Sequence, residues 1–347
     1  MAYTTIDKPS DYFNTKLYTG NGSTQSIDVG FQSDFTWLKS RTETKSHVLI
    51  DAVRGSNKDI ISNSTAAENT DATRITGFDS DGFNLGSSTR TNTNSQNYVS
   101  WNWKAGTSFT NDASSTGIGS IDSAGSVNTD AGFSIITFTG TGSAGTVAHG
   151  LGAIPKFLVV KSRSNANGWI VYHGSLGAGK GISLNLTDAA FSTGSRWNST
   201  EPTSTVFSLG TAADVNRSSG THVCYAFAEK QGYSKFGSYT GNGSTDGVFC
   251  FTGFKPAFVL CKNTGNSGAQ WLMVDNKRVG INPIENYVQA NSSSAEATGT
   301  DNYDFLSNGF KCRSTNSWNN QSGYNIIYMA FAENPFVTST GVPATAR

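Results

Sequence analysis

Charge is scarce in this sequence. Only 14% of the 347 residues are charged, and 25 basic residues balance 25 acidic ones. Proteins that bind nucleic acid carry clustered lysine and arginine side chains that neutralise phosphates. The composition therefore predicts no nucleic-acid partner.

Long apolar runs are also missing. No stretch approaches the roughly 18–20 apolar residues that a membrane-spanning helix needs, so we expect no membrane insertion. Residues 1–9 have neither the basic start nor the apolar centre of a secretion signal. We expect a protein that is made in a cytoplasm and reaches the outside by another route, such as cell lysis.

Cysteine and histidine, the common ligands of structural metals, are few. The four histidines are scattered along the chain, and the four cysteines form no Cys-x-x-Cys pair. We predict no metal site and no cofactor. The cysteines lie in or beside apolar strands and are predicted to be buried thiols without a disulfide; they are Cys224, Cys250, Cys261 and Cys312.

Glycine, serine, threonine and asparagine are abundant, and they separate short runs of valine, isoleucine, phenylalanine and tyrosine. Residues 133–138 and 169–172 are examples of such runs, which are typical of strands bounded by turns. Long helical periodicity is missing, and a parallel sheet needs crossover helices. The pattern predicts an all-β protein with antiparallel sheets.

The chain also repeats itself. Each of three copies opens with an aromatic residue and a Thr-Gly-x-Gly-Ser/Thr-rich turn, continues into an apolar strand that ends in lysine, and closes on an aromatic strand. The openings are residues 18–24, 138–144 and 239–245, the lysines are Lys39, Lys161 and Lys262, and the closing strands are 98–103, 223–227 and 327–331. The period of about 100 residues is that of a domain rather than of a solenoid unit.

These markers predict three tandem antiparallel β-sandwich repeats with a jelly-roll, lectin-like form. A stretch between the first two copies is rich in glycine, serine and threonine, and has the composition of a linker. The predicted boundaries are 1–104 for repeat 1, 105–130 for the linker, 131–229 for repeat 2, 230–335 for repeat 3 and 336–347 for a C-terminal tail.

The opening residues 1–10 resemble a group of virion proteins encoded by tailed phages of marine bacteria. That group is described as structural or tail-fibre-like, sometimes with concanavalin-like domains, and has no established catalytic or ligand residues. The resemblance implies a virion location and carries no chemistry with it. It runs essentially from end to end, through residues 13–22, 149–155, 236–247, 331–336 and 341–347.

Motifs that suggest enzyme chemistry have simpler structural interpretations. Asp51 and Arg54 share an Asp-x-x-Arg spacing with Asp275 and Arg278. We favour a local ion pair at a strand-to-loop corner, and the alternative is contact with a neighbouring subunit. The remaining acidic residues are sparse and lie mostly in loops, which disfavours a glycosidase carboxylate pair. We predict that the protein is not an enzyme.

Two polar loops each contain a tryptophan beside asparagine. Sugars present an apolar face and a hydroxyl edge, so an indole with neighbouring amides is the chemistry that a glycan site needs. The alternative is a tryptophan that plugs its own loop. The candidates for glycan or receptor contact are Trp197, Asn198, Trp318, Asn319 and Asn320.

Together these features predict a non-enzymatic virion protein, a tail-fibre or appendage component that takes part in host-surface attachment. A capsid decoration protein is the alternative, and a glycan-degrading enzyme is a third, disfavoured hypothesis. The expected partners are other virion proteins, a host surface glycan or receptor, and further copies of the chain, with a trimer as one option. We expect repeat 1 to dock to the virion or a partner subunit, and repeats 2 and 3 to face outward.

Overall fold

Antiparallel strands make up most of the protein in the computed structural model, which describes residues 2–344. The all-β, antiparallel class predicted from the sequence is confirmed. Met1 of the predicted repeat 1 and residues 345–347 of the predicted tail lie outside the described residues. Within residues 2–344, no helix has the length and apolar character required to span a membrane.

The first segment, residues 2–104, places a small sheet over a large one. The large sheet has the order β1-β9-β3-β4-β5-β6, and the small sheet has the order β2-β8-β7. Its elements are a 3-10 helix (Pro9–Asp11), β1 (Phe13–Thr19), β2 (Gln25–Asp28), β3 (Phe35–Ser40), β4 (Val48–Asp51), β5 (Lys58–Ile60), β6 (Asn69–Thr70), β7 (Ile75–Asp79), β8 (Gly82–Leu85) and β9 (Asn97–Trp103).

The second segment, residues 105–229, repeats this plan. Its large sheet has the order β10-β11-β12-β19-β14-β15-β16-β17, and β13 pairs with β18 in the small layer. Its elements are β10 (Thr107–Asn111), α1 (Ala113–Thr116), β11 (Ser123–Asn128), β12 (Phe133–Thr139), β13 (Gly145–Ala148), β14 (Pro155–Ser162), β15 (Trp169–His173), β16 (Lys180–Ser183), β17 (Phe191–Ser192), α2 (Gly194–Trp197), β18 (Val206–Leu209), α3 (Ala213–Asn216) and β19 (Thr221–Ala228).

The third segment, residues 230–335, joins both layers into one continuous sheet. The order is β20-β27-β22-β23-β24-β25-β26-β21, because the long strand β25 pairs with β24 at one end and with β26 at the other. Its elements are β20 (Ser234–Thr240), β21 (Phe249–Phe251), β22 (Phe254–Asn263), β23 (Leu272–Asp275), β24 (Ile284–Gln289), β25 (Ala297–Leu306), β26 (Gly309–Cys312) and β27 (Asn325–Pro335).

The same strand order recurs in the three large sheets. In each, the opening strand pairs with the closing strand, which pairs with the strand that ends near the marker lysine. The lysine strands β3, β14 and β22 are buried along almost their whole length. This is expected for central strands that are covered on both faces, and it explains why they read as apolar runs.

One face of each large sheet packs against the small layer of its own segment. Tyr18 and Leu38 of the first large sheet, for example, share an apolar core with Phe83 of the small layer. Comparable cores lie within the second and third segments. Each segment is therefore a sandwich with an interior of its own. The four cysteines are buried in these cores of the second and third segments, and no disulfide links them, as predicted.

The opposite faces of the three large sheets meet in a single central core. Trp103, Phe227 and Phe331 stand at equivalent positions of the closing strands, opposite Phe35, Phe157 and Phe258. Their ring centroids lie 6.1 Å, 5.6 Å and 5.8 Å apart, so each ring contacts the other two. Three nearly equal distances between equivalent rings are expected for an approximate three-fold axis that passes through this point.

The prediction of a linker at 105–130 is wrong. This stretch contains β10, α1 and β11, which extend the large sheet of the second segment beside β12. Its low apolar content is explained by its position, because the outer strands of a sheet need little apolar surface. Gly125 is required there, since an added Cβ would collide with the carbonyl oxygen of Ile135 on the paired strand.

Residues near the two ends of the chain contact each other and the third segment. Near the N-terminus, Thr4 Oγ1 donates to the carbonyl oxygen of Gln231 at 2.8 Å, and the Tyr3 hydroxyl donates to that of Gly253 at 2.7 Å. Asp7 accepts a hydrogen bond from the backbone N–H of Ser339 at 2.6 Å. The first residues of the chain are therefore bound to the third segment and to the C-terminal tail.

Candidate functional site

The Trp197 loop does not present its indole to solvent. Trp197 ends the short helix α2, is 1% exposed, and packs edge-on against Tyr172 with ring centroids 5.9 Å apart. The prediction of ligand contact by Trp197 is wrong, because the side chain fills the core of its own segment. Asn198 ends the helix with a φ of 51° and is exposed.

The Trp318 loop is also mostly directed inward. Trp318 is half-buried against the core of the third segment, whereas Asn319 and Asn320 are fully buried. Burial overturns the prediction of ligand contact for Asn319 and Asn320. Of the five predicted residues, Asn198 and Trp318 keep accessible surface, and they lie on different segments rather than in one site.

Asn320 instead holds the Thr-Gly-x-Gly-Ser turn of its segment. Its amide nitrogen donates to the Asn242 side chain, to Ser244 O and to Ser314 O at 2.7–3.0 Å, while its oxygen accepts from the Asn242 N–H. Asn92 and Asn216 make the equivalent bonds in the first and second segments. A buried amide whose hydrogen bonds are satisfied in this way holds the turn of its segment in place.

A ring of buried side chains connects the segments. Trp169 Nε1 donates to Ile61 O of the first segment, and Trp271 Nε1 donates to Ser183 O of the second, both at 2.9 Å. His47 stands at the equivalent position of the first segment, and its Nε2 lies 2.9 Å from Gln289 O of the third. Each segment thus bonds to one neighbour, and the third bond returns to the starting point.

The proton on His47 follows from its surroundings. The indole N–H of Trp37 donates to Nδ1 of His47 at 2.8 Å, so Nδ1 is an acceptor and Nε2 carries the proton toward Gln289 O. Burial, together with the charge of Lys39, lowers the pKa of His47 to about 3. The imidazole is therefore neutral near neutral pH and serves as a donor, as the indoles do elsewhere in the ring.

A second ring is made by the backbone. The Glu68 N–H donates to Arg163 O, and the Glu296 N–H donates to Arg41 O, both at 2.8 Å. Ala190 makes the equivalent bond between the second and third segments at the same distance. The side chains add ion pairs at two of these positions, Arg163–Glu68 and Arg41–Glu296, each with two hydrogen bonds. The ring is closed within one chain.

The Asp-x-x-Arg motifs lie at these junctions. Arg54 binds Asp51 and Glu68, and its side chain also donates to the Tyr225 hydroxyl of the second segment. Asp51 and Arg54 have fully buried side chains, so the local ion pair is confirmed in a buried rather than an exposed form.

The third segment repeats this network. Asp275 accepts from Arg278 and from the Trp101 indole of the first segment, so the neighbour that each motif contacts is another segment of the same chain. Burial alone would raise the pKa of the Glu296 carboxyl, but hydrogen bonds from Arg41 and the charge of Arg278 hold it below its usual value.

The marker lysines are buried and bound by carbonyl groups. Lys161 Nζ donates to Thr65 O of the first segment and to Asn167 O, at 3.0 Å and 2.8 Å. Lys262 donates to Thr187 O of the second segment at 2.8 Å. Burial lowers the pKa of Lys39, Lys161 and Lys262 to about 8. Lys161 and Lys262 are therefore cross-segment hydrogen-bond donors, whereas Lys39 donates to Ser40 O at 2.7 Å within its own segment.

A groove of about 360 Å³ opens on the surface of the third segment. Ile281, which is 74% exposed, is the accessible apolar side chain of this groove, whereas Ile284 and Phe305 line its base and are 1% and 4% exposed. Asn276 also lines it, and its side-chain oxygen is buried without a hydrogen-bond donor among the described residues. Lys277 is exposed beside it. An exposed apolar side chain beside an amide and an ammonium group suits a polar ligand with one apolar face.

A second groove, of about 320 Å³, lies on the second segment. Its charged side chains are already engaged: Asp112 caps helix α1, Asp122 accepts from the Ala113 N–H, and Arg163 binds Glu68. The groove beside Asn276 is therefore the better candidate for binding. Among the side chains that the structure describes, which leave out those of residues 300 and 301, no group of three or more histidine, cysteine or acidic residues is placed to hold a metal ion.

Sequence reasoning missed the rings, although a signal was present. His47, Trp169 and Trp271 stand at the start of the apolar strand that follows the marker lysine, a shared position that indicates a shared contact. The groove had no such signal, because Asn276 and Phe305 are brought together by β23, β24 and β25.

The comparisons with known proteins concern nearly the whole chain. The family described as "Domain of unknown function (DUF7483)" matches residues 8–335, and a search of curated proteins found no match. The matched range includes all three segments, so the family unit is the closed arrangement rather than a single repeat. The chain therefore belongs to the DUF7483 family, whose function is unknown.

Proposed function

We propose that this protein is a non-catalytic structural component of a tailed-phage virion, a tail-fibre or appendage protein that contacts the host surface. The observation that carries the proposal is the use of its buried lysine, arginine, tryptophan and histidine side chains. They form contacts between segments, and so hold a rigid body together. The resemblance of the chain to marine-phage virion proteins supports the same role.

The contact surface in this proposal is the groove of the third segment. A saccharide ring laid on the exposed side chain of Ile281 would bring its hydroxyl groups close to Asn276 and Lys277. The ammonium group of Lys277 favours a sugar that carries a carboxylate. The chemistry expected from the sequence, an apolar surface with a neighbouring amide, is therefore available here, with different residues from those predicted.

Capsid decoration remains a second candidate, and the triangle of Trp103, Phe227 and Phe331 favours it specifically. A single chain with an approximate three-fold axis has the symmetry to sit over a three-fold position of a shell. The ring closes within one chain, so the proposed trimer would be an assembly of complete rings. Other virion proteins are the proposed partners in either location.

The attachment role predicts saturable binding of the labelled, purified chain to cells of the bacterium that the phage infects. Lys277→Ala combined with Asn276→Ala should weaken this binding at least about tenfold, as expected for loss of a charge-assisted and a neutral hydrogen bond. Lys180→Ala, which removes another exposed lysine, should leave it unchanged. Equal binding by all variants would exclude the groove.

The location is tested separately by antibody labelling of purified particles in the electron microscope. Label at the tail supports attachment, and label spread over the shell assigns the protein to decoration. Particles that contain none of this chain would contradict both candidates.

A further inference from the structure

The edge strands of the three small layers occupy equivalent positions and differ in their outward residues. Each has a buried residue at its centre: Ile27 in β2, Val147 in β13 and Cys250 in β21. The residues on either side of it are Ser26 and Asp28 in the first segment, Thr146 and Ala148 in the second, and Phe249 and Phe251 in the third. All of them keep accessible surface except Ala148, which is 5% exposed.

The outer edge of β13 is covered by another part of the same chain. The N–H groups of Ser120 and Ile121 donate to Thr146 O at 2.9 Å and 3.0 Å, and Ser120 Oγ accepts from the Thr146 N–H at 2.9 Å. Ile121 pairs in parallel with Val147 and is 4% exposed. An extended segment thus completes the edge of this small layer with backbone bonds and one apolar side chain.

The corresponding edge of β21 has no such cover within residues 2–344. β21 is the last strand of its sheet, and the backbone bonds that flank it, from Gly247 to Cys312 and from Thr252 to Asn308, run to the β26 side. Phe249 is 43% exposed and Phe251 is 58% exposed. Two phenylalanines on an unpaired edge strand mark a surface that is normally covered by a partner.

We propose that the outer edge of β21 receives an extended segment of a different protein, which pairs with its backbone as residues 120–121 pair with β13. In a second copy of the chain, residues 120–121 are already bound to that copy's own β13, which favours a different protein as the occupant. The pairing adds a strand to an exposed sheet edge, an established mode of peptide recognition.

The chemistry of the incoming segment follows from the neighbouring residues. Gly145 leaves room for Ile121 beside β13, whereas Val248 fills this place in the third segment. The incoming side chain therefore lies over the rings of Phe249 and Phe251 instead of entering the core. Lys311, opposite Phe249 on β26, is already paired with Asp246 at 2.7 Å. An uncharged, apolar segment fits this surface.

A peptide with the sequence of residues 117–121, Gly-Ile-Gly-Ser-Ile, with both ends blocked, is a direct and uncharged probe because it contains the residues that cover the equivalent edge. Titrated into the isotope-labelled full chain up to about 2 mM, it should cause saturable NMR shifts at residues 247–252 and 309–312. Phe249→Ser combined with Phe251→Asp gives β21 the outward residues of β2, and should weaken binding at least about tenfold.

Ile154→Ser serves as the matched control, since Ile154 is 48% exposed on the second segment, and it should leave the titration unchanged. Both phenylalanines are largely exposed, so the double variant is expected to fold, and circular dichroism checks this. Phe251→Ala, which copies Ala148, provides a milder second variant.

The proposal is overturned by absence of saturable shifts, or by equal shifts in the variants. A dimer of the chain that the double variant abolishes would also overturn it, because a second copy would then occupy the edge. The proposal does not depend on the attachment role.

Discussion

Lowering the pH from about 7 to about 4 is expected to unfold this protein, because its buried histidines are held neutral in the folded state and gain protons readily only when the chain unfolds. All four are buried to 1% exposure or less. Burial lowers the pKa of His149, His173 and His222 from 6.5 to about 4, and that of His47 to about 3. In the unfolded chain, these side chains take up protons at a much higher pH.

The direction of the effect follows from this difference. Between pH 6.5 and 4, the unfolded state binds more protons than the folded state, so the free energy of unfolding falls as the pH falls. Each imidazole contributes a loss of about 2.5 kcal/mol over this window, and the four together lose about 10 kcal/mol, comparable with the total stability of a typical protein. Above pH 6.5 this stability is fully present.

Chemical denaturation at a series of pH values measures the loss, and NMR of the histidine ring protons gives the pKa values directly.

The segments offer a matched variant. Trp37 and His47 stand where the second segment has Val159 and Trp169. Trp37→Val with His47→Trp therefore moves the large indole side chain from position 37 to the neighbouring position 47 and keeps the total side-chain volume nearly unchanged. The double variant should fold and lose about 1.4 kcal/mol per pH unit of the acid dependence. His47→Trp alone should overpack. Histidine pKa values near 6.5 would contradict the prediction.

Replacing Arg54 by methionine is expected to lower the free energy of unfolding by about 3–5 kcal/mol, because a buried charge loses its counterion. The side chains of Arg54 and Asp51 are fully buried, with 0% of their surface exposed. Arg54 also binds Glu68 and Tyr225. Lys8→Met is the control, since its pair with Asp11 is exposed at 72% and 50%; it should change stability by less than about 0.5 kcal/mol.

A double variant separates the charge from the packing. Asp51→Asn with Arg54→Met removes both charges and should be more stable than Arg54→Met alone, as expected for coupled groups. The second segment functions with His173 in this place, where its Nε2 lies 3.1 Å from Tyr328 O, so a neutral residue can occupy the junction. Equal stability of Arg54→Met and Lys8→Met would show that the buried ion pair contributes nothing to the fold.

The sequence was sufficient to predict strands and antiparallel pairing, because local alternation and turn residues encode them. The Lys39, Lys161 and Lys262 strands were found in this way. The partners of the lysines could not be predicted, since Thr65 and Thr187 are brought to them only by the packing of neighbouring segments. Marker residues signalled equivalence without showing what they contact.

The candidate site was harder to predict for the same reason. A tryptophan in a polar loop has the same composition whether it faces solvent or its own core, and Trp197 fills the core beside Tyr172. The stretch 105–130 was similarly misleading, because glycine and serine also serve in outer strands such as β11. The groove beside Asn276 depends on contacts between distant strands, which no local pattern records.

The three large sheets share one core and close a ring, so the segments are expected to fold together. Differential scanning calorimetry of the full chain near neutral pH tests this claim most directly. The structure predicts one transition whose calorimetric and van't Hoff enthalpies agree, because Trp103, Phe227 and Phe331 contact one another across all three segments. Two or three separate transitions, each with the enthalpy of about 100 residues, would show independent domains and contradict the account.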